Sequence, residues 1–156
     1  MRAQKNYERT MRSDTSLYDR DFYAWANQQA ALLRAGRTQE VDLENVAEEI
    51  ESMGRSEKRE LISRLAVLLL HLLKWQFQPA HQGKSWQRTI NEQRRKTLRH
   101  LDDNPSLRAL LPEILANAYE DAVGEAEGET GLEAGTFPKS CPWTFEQIVV
   151  PGWLPS

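Results

Sequence analysis

"LAVLLLHLLKWQFQP", residues 65–79, constrains this chain more than any other stretch. It is strongly apolar, and a histidine, His71, sits in its middle. A membrane span, a buried core helix or a ligand helix built around His71 would each use such a segment. The uninterrupted run between Arg64 and Lys74 is nine residues long, whereas a bilayer-crossing helix needs about 18–20 apolar residues. The membrane reading therefore fails on length. At 100° per residue, Leu61, Leu65, Leu68, Leu72 and Trp75 define one face, which Ile62, Ala66, Leu69 and Leu73 widen to about two thirds of the circumference. Glu60, Ser63, Arg64, His71 and Lys74 share the remaining polar strip. This is the pattern of a central core helix with His71 on its border, hydrogen-bonded to a neighbour such as Asn91 or Arg94.

The same period extends along the chain. Phe22, Trp25, Ala26, Ala30 and Leu33 recur at helical spacing, with Asp19 as the expected N-cap and Gly36 as a stop. From Leu43, with Asp42 as cap, Val46, Ile50 and Met53 keep helical phase and lead into the apolar run. Gly54 costs about 1 kcal/mol inside a helix relative to Ala, so residues 43–77 form either one long helix with a local bend, which is the expectation, or two helices meeting near Gly54–Ser56. Pro79 ends that segment, and Ser85 opens a helix carrying Trp86, Ile90, Thr97, Leu98 and Leu101. Ser106 is expected to cap the next, which starts as a tight turn, straightens after Pro112 and stops at "GETG". The remainder, "TFPKSCPWTFEQIVVPGWLPS", is broken by prolines, with one short helix expected after Pro142. No strand alternation is present. The expected fold is all-α: a helical bundle of about five helices with a C-terminal aromatic arm. Residues 1–17 are expected to be a flexible segment, and residues 18–156 a single helical domain.

Five stretches, "YDRDFYAWANQQAALLRAGR", "LENVAEEIESMGRSEKREL", "LLLHLLKWQFQP", "SWQRTINEQR" and "CPWTFEQIV", occur in this order and spacing. Together they resemble the bacterial family catalogued as domain of unknown function number twenty-nine, from about Tyr18 to Pro155. The resemblance implies a small, soluble, all-helical bacterial protein, and it implies no activity.

Catalytic and cofactor templates find little to match. The glycines are scattered, so no phosphate loop is present. A single cysteine, Cys141, leaves no internal disulfide or multi-Cys zinc site and fits a reducing compartment. No signal-peptide pattern follows the basic start, and a cytoplasmic location is expected. His71, His81 and His100 could join Glu48, Glu49 or Glu51 on a metal, as facing bundle helices do. No Glu-x-x-His or His-x-x-x-His occurs, however, and Glu48 lies about 34 Å from His71 along one helix. Neither a metal nor another cofactor is expected.

Charge is segregated. Glu40 to Glu51 contains six carboxylates without a cation, residues 84–99 six cations (Lys84, Arg88, Arg94, Arg95, Lys96, Arg99) against Glu92, and Glu113 to Glu133 seven carboxylates without a cation. The basic helix either contacts nucleic-acid phosphates or is neutralised between acidic helices, and the acidic surplus favours neutralisation. Three functional readings follow. The preferred one is a non-catalytic protein-interaction or regulatory module, its partner another protein or a second copy. In that reading Trp143, Phe145 and Trp153 of the arm form an interaction element, unless the arm docks on its own bundle. The second is an enzyme with a site around His71, Trp75, Trp86 and Arg94. The third is a nucleic-acid binder using the basic helix 84–99.

Overall fold

A computed structural model of the chain describes residues 17–156; the flexible segment expected over residues 1–17 lies, Leu17 apart, outside them. The described residues contain helices and no strand. They fall into two compact units, one ending at Gly54 and the other Arg55–Ser156.

In the first unit, helix α1 (Phe22–Arg34) is capped by Asp21, whose carboxylate accepts the Ala24 N–H at 3.0 Å. The expected cap, Asp19, sits two residues too early, inside a preceding helical turn at 17–20. The expected stripe is only partly inward: Trp25 is buried, but Phe22 and Leu33 are 50% and 46% exposed. Gly36, at φ 71°, makes the left-handed exit that side-chain-bearing residues avoid. A single turn, Thr38–Glu40, then leads to Asp42. Asp42 ties this unit together through four hydrogen bonds. Its backbone N–H donates to the buried Gln29 at 2.7 Å, its Oδ2 accepts from Trp25 Nε1 at 3.2 Å and from Asn45 Nδ2 at 2.8 Å, and its Oδ1 accepts the Asn45 N–H at 3.3 Å. The last contact is the N-cap expected for the second helix.

Helix α2 runs unbroken from Leu43 to Phe77 through Gly54. One helix, not two, answers the question raised by that glycine. It stops before Gln78 because the residue preceding a proline is pushed out of helical geometry and the Pro79 ring cannot sit in a helix interior. A turn at Pro79–His81 and an extended Gly83 lead into α3 (Lys84–Asp103), which begins one residue before Ser85. A tight 3₁₀ segment, Pro105–Leu110, precedes α4 (Leu111–Thr130), with Pro112 in the first turn where no backbone N–H is needed. Ser106 lies inside the 3₁₀ segment rather than capping α4. Gly131, at φ 70°, closes α4. The short helix α5 (Phe145–Val149) starts at Thr144 in a reciprocal capping box with Gln147.

The core of the second unit is built on the opening stretch. Leu61, Leu65, Leu68, Leu69, Leu72 and Leu73 of α2 expose no surface, nor do Ile90 and Leu101 of α3, Ile114 and Ala118 of α4, or Ile148 of α5. Each large side chain so buried contributes about 1.5–3 kcal/mol. Phe137 and Trp143 complete this cluster from the C-terminal arm, with Trp75, Phe77, Phe145 and Trp153 packed on its margin. Among the described residues, no helix is long and apolar enough to cross a membrane.

Candidate functional site

The four residues grouped as a possible enzyme site do separate jobs. His71 donates from Nδ1 to the Val67 carbonyl of its own helix at 2.8 Å, not to Asn91 or Arg94. The charges acting on it are Lys74 from α2 and Glu129 and Glu125 from α4. Burial lowers its pKa, and the Val67 bond offsets part of that shift. One turn on, Lys74 Nζ bonds Glu129 at 2.8 Å and lies 4.9 Å from the Trp86 ring centre, so Trp86 is a cation–π platform for a structural lysine. Trp75 packs on the core, and its carbonyl accepts from Gln82 Nε2 at 2.8 Å.

Arg94 points inward. It is 3% exposed, and its guanidinium donates to two carbonyls of the arm, from Nε to Ile148 at 2.7 Å and from Nη2 to Trp153. Desolvation lowers its pKa from the usual arginine value. The arm is thus held on its own unit by a buried guanidinium fork. Trp143 is buried and stacks edge-on against Trp153 with 5.8 Å between centroids, and Phe77 meets Phe137 in the same way at 5.2 Å. Tyr119 Oη donates to the Pro138 carbonyl at 2.6 Å. The lone thiol, Cys141, donates to the Trp143 carbonyl, and burial raises its pKa. Trp143, Phe145 and Trp153, singled out as an interaction element, therefore spend their apolar surface within the second unit.

The charge segregation also resolves differently from the expectation. The acidic helix α4 is matched by α2, through Lys58–Glu113 at 2.7 Å and Lys74–Glu129, while Lys96 of the basic helix pairs with Glu92 of its own helix. These pairs sit at i,i+4 or bridge neighbouring helices, where opposite charges attract at short range.

A cleft of about 520 Å³ opens at the Asp103 end of α3, lined by Glu57, Glu60, Arg64, Lys96, Arg99 and His100, with Asp103 and Asn104 at its edge. His100 is nearly buried, and its Nε2 lies 2.8 Å from the Glu57 backbone carbonyl. A carbonyl can only accept, so Nε2 carries the proton. The other ring nitrogen, Nδ1, stands 4.0 Å from Glu60 Oε2. Arg64 clamps the opposite oxygen, Oε1 of Glu60, through Nε at 3.1 Å and through Nη2. Glu57 Oε2 lies 3.4 Å from His100 Nε2 and 3.5 Å from Asn104 Nδ2. One donor atom each from Glu57, Glu60 and His100 falls within 4.8 Å of the others. The ligands weighed from the sequence, the histidines with Glu48, Glu49 or Glu51, do not include this set. A reversal of the chain near residue 81, which puts Glu60 level with about residue 102, was the available signal.

The first unit presents a different surface. Phe22, Tyr23, Leu33, Leu43, Ile50 and Met53 are each between 46% and 80% exposed. Arg55–Ser156, by contrast, exposes only Leu110 and Val150 among its large apolar side chains. Tyr18 hydrogen-bonds Glu49 across the unit, and that carboxylate pushes the phenol pKa up to about 12.

These features define an all-α protein with a bundle core and an arm docked on the second unit. The chain belongs to the family described as "Domain of unknown function DUF29", which matches residues 17–154. No curated protein and no solved structure matches the chain.

Proposed function

We propose that the chain is a non-catalytic protein-interaction module whose docking surface is the apolar face of residues 22–53, not the C-terminal arm. The observation behind this reading is the set of six large apolar side chains left exposed there. On α2, Leu43, Ile50 and Met53 fall within about 80° of one another on the helical wheel, so they form one stripe. Exposed apolar patches of this kind mark interaction surfaces, and a stripe at helical spacing suits an amphipathic helix laid along it.

Charge selects the partner. Residues 17–54 carry eight carboxylates against three arginines. Two copies meeting face to face would bring these acidic surpluses together, whereas a helix with Lys or Arg flanking its apolar stripe meets complementary charge. The test uses two synthetic amphipathic peptides with the same leucine face, one flanked by lysine and one by glutamate, titrated calorimetrically into the full chain. The lysine peptide should bind, the glutamate peptide should not, and the double variant Ile50→Gln/Met53→Gln should weaken binding at least tenfold without changing thermal stability. Equal binding by both peptides, or by the double variant, would reject the surface.

A further inference from the structure

We propose that Glu57, Glu60 and His100 form a binding site for a divalent transition-metal ion of the zinc and cobalt class, with His100 Nδ1, Glu60 Oε2 and a Glu57 carboxylate oxygen as donors. The two glutamates lie at i,i+3 on one face of α2, and His100 comes from α3. The site therefore needs the pairing of two helices rather than a local sequence motif.

Three features of the geometry support it. The imidazole is about nine-tenths buried and oriented by its Nε2–H on the Glu57 carbonyl. That leaves Nδ1, which no hydrogen bond reaches among the described residues, facing the carboxylate of Glu60. A metal-binding histidine characteristically gives its second ring N–H to a carbonyl or carboxylate in this way. Glu60 is prepared similarly: Arg64 binds Oε1 with two donors and turns Oε2 toward the ring. Lastly, the donors are close enough. One donor atom from each of the three residues lies within 4.8 Å of the others, with Glu60 Oε2 4.0 Å from Nδ1 and Glu57 Oε2 3.4 Å from Nε2, and ligands about 2.0–2.2 Å from zinc stand roughly 3.5 Å apart. The half-exposed glutamate side chains are free to close that gap, Glu57 by swinging its carboxylate from the Nε2 edge of the ring toward Nδ1.

Donor chemistry narrows the ion. One imidazole nitrogen and two carboxylates suit zinc, cobalt or their neighbours, whereas calcium requires six to eight oxygens and magnesium rarely accepts imidazole. Three protein ligands leave a coordination position for water. Arg64, Lys96 and Arg99 lie along the same cleft, and their positive charge opposes the ion, so affinity should fall well short of a structural zinc finger.

The test titrates Zn²⁺ into the full, metal-stripped chain by calorimetry and follows Co²⁺ by its ligand-field absorption. One ion should bind per chain. Glu57→Gln and Glu60→Gln, both at half-exposed positions and expected to fold normally, should each weaken binding at least tenfold. His100→Ala, checked for folding by circular dichroism, should abolish the Co²⁺ spectrum. Absence of Zn²⁺ binding to the wild-type chain would overturn the proposal, as would equal binding by both glutamine variants, which would move the ion to His81 or Cys141. The site lies wholly in Arg55–Ser156, so this outcome is independent of docking on residues 22–53.

Discussion

Replacing Arg94 by alanine removes the charged side chain that ties α3 to the arm. The wild-type guanidinium makes two hydrogen bonds to backbone carbonyls, at Ile148 and Trp153. Bonds from charged donors are worth about 1.5–3 kcal/mol each, a gross loss of about 3–6 kcal/mol. Against this, the variant no longer buries a cation, whose desolvation cost is several kcal/mol before its partners offset it. The two unpaired carbonyls and the vacated volume keep the balance destabilising, and we expect a net loss of about 2–4 kcal/mol. Urea denaturation followed by tryptophan fluorescence measures it, since Trp153 carries one of the acceptors and Trp143 packs edge-on against it. Amide hydrogen exchange over residues 145–153 should accelerate together with the loss. Arg94→Lys should recover only part of the stability, because a single ammonium cannot span two carbonyls as the planar fork does. An alanine variant within about 0.5 kcal/mol of wild type, with unchanged exchange in the arm, would refute the assignment, since surface substitutions fall in that range.

Further outcomes can be checked on single variants. Gly54→Ala and Gly131→Ala should act in opposite directions: the first stabilises by roughly 0.5–1 kcal/mol in a helix interior with open space around it, and the second destabilises by about 1 kcal/mol at φ 70°. Thermal melts of the two would expose an error if their signs agreed. His71 has a lowered folded pKa, so the unfolded chain takes up its proton first as pH falls through about 6.5. Stability contributed by neutral His71 is present above that pH and lost below it, and His71→Gln should flatten this acid limb; an unchanged pH profile would contradict the burial argument. Tyr119, raised to about 12 by burial, works at the other end. Its folded pKa lies above the unfolded value of 10.0, so its contribution is full below pH 10 and declines as pH rises toward 12. Tyr119→Phe should remove that alkaline decline while costing about 1 kcal/mol at neutral pH for the lost bond to Pro138.

Local pattern carried most of the helices. The periodicity of residues 43–77, the proline at 112, the glycine at 131 and the aromatic run after Pro142 each correspond to an element found in the structure. What escaped were contacts that depend on which side of a helix a neighbour occupies. The apolar pattern puts His71 at the border of its helix but does not say that its partner is the Val67 carbonyl of that same helix and not Asn91 or Arg94. Arg94 belongs by charge with the five other cations of residues 84–99, yet its spacing with Ile90, Thr97 and Leu101 places it on the inward stripe. A charged residue at an apolar position of a helical repeat is a readable sign of a buried fork, and composition-based grouping hid it. The exposed state of Phe22, Leu33, Ile50 and Met53 was not readable, since helical phase marks a face without saying what covers it. His100 lies forty residues beyond Glu60 and forty-three beyond Glu57, so the set of Glu57, Glu60 and His100 has no local signature.

The Arg94 fork also has a consequence for the order in which the chain is expected to close. Its two acceptors lie 54 and 59 residues further along the chain. A nascent chain that has emerged past Arg94 but not past Trp153 can collapse around the leucines of α2, yet it has no carbonyls to offer the guanidinium. Burying the cation in that state would be costly, so we expect Arg94 to stay in water until the arm arrives. The guanidinium then serves as a latch that closes only on a finished strap, and chains cut before Ile148 should remain open there and accessible to protease.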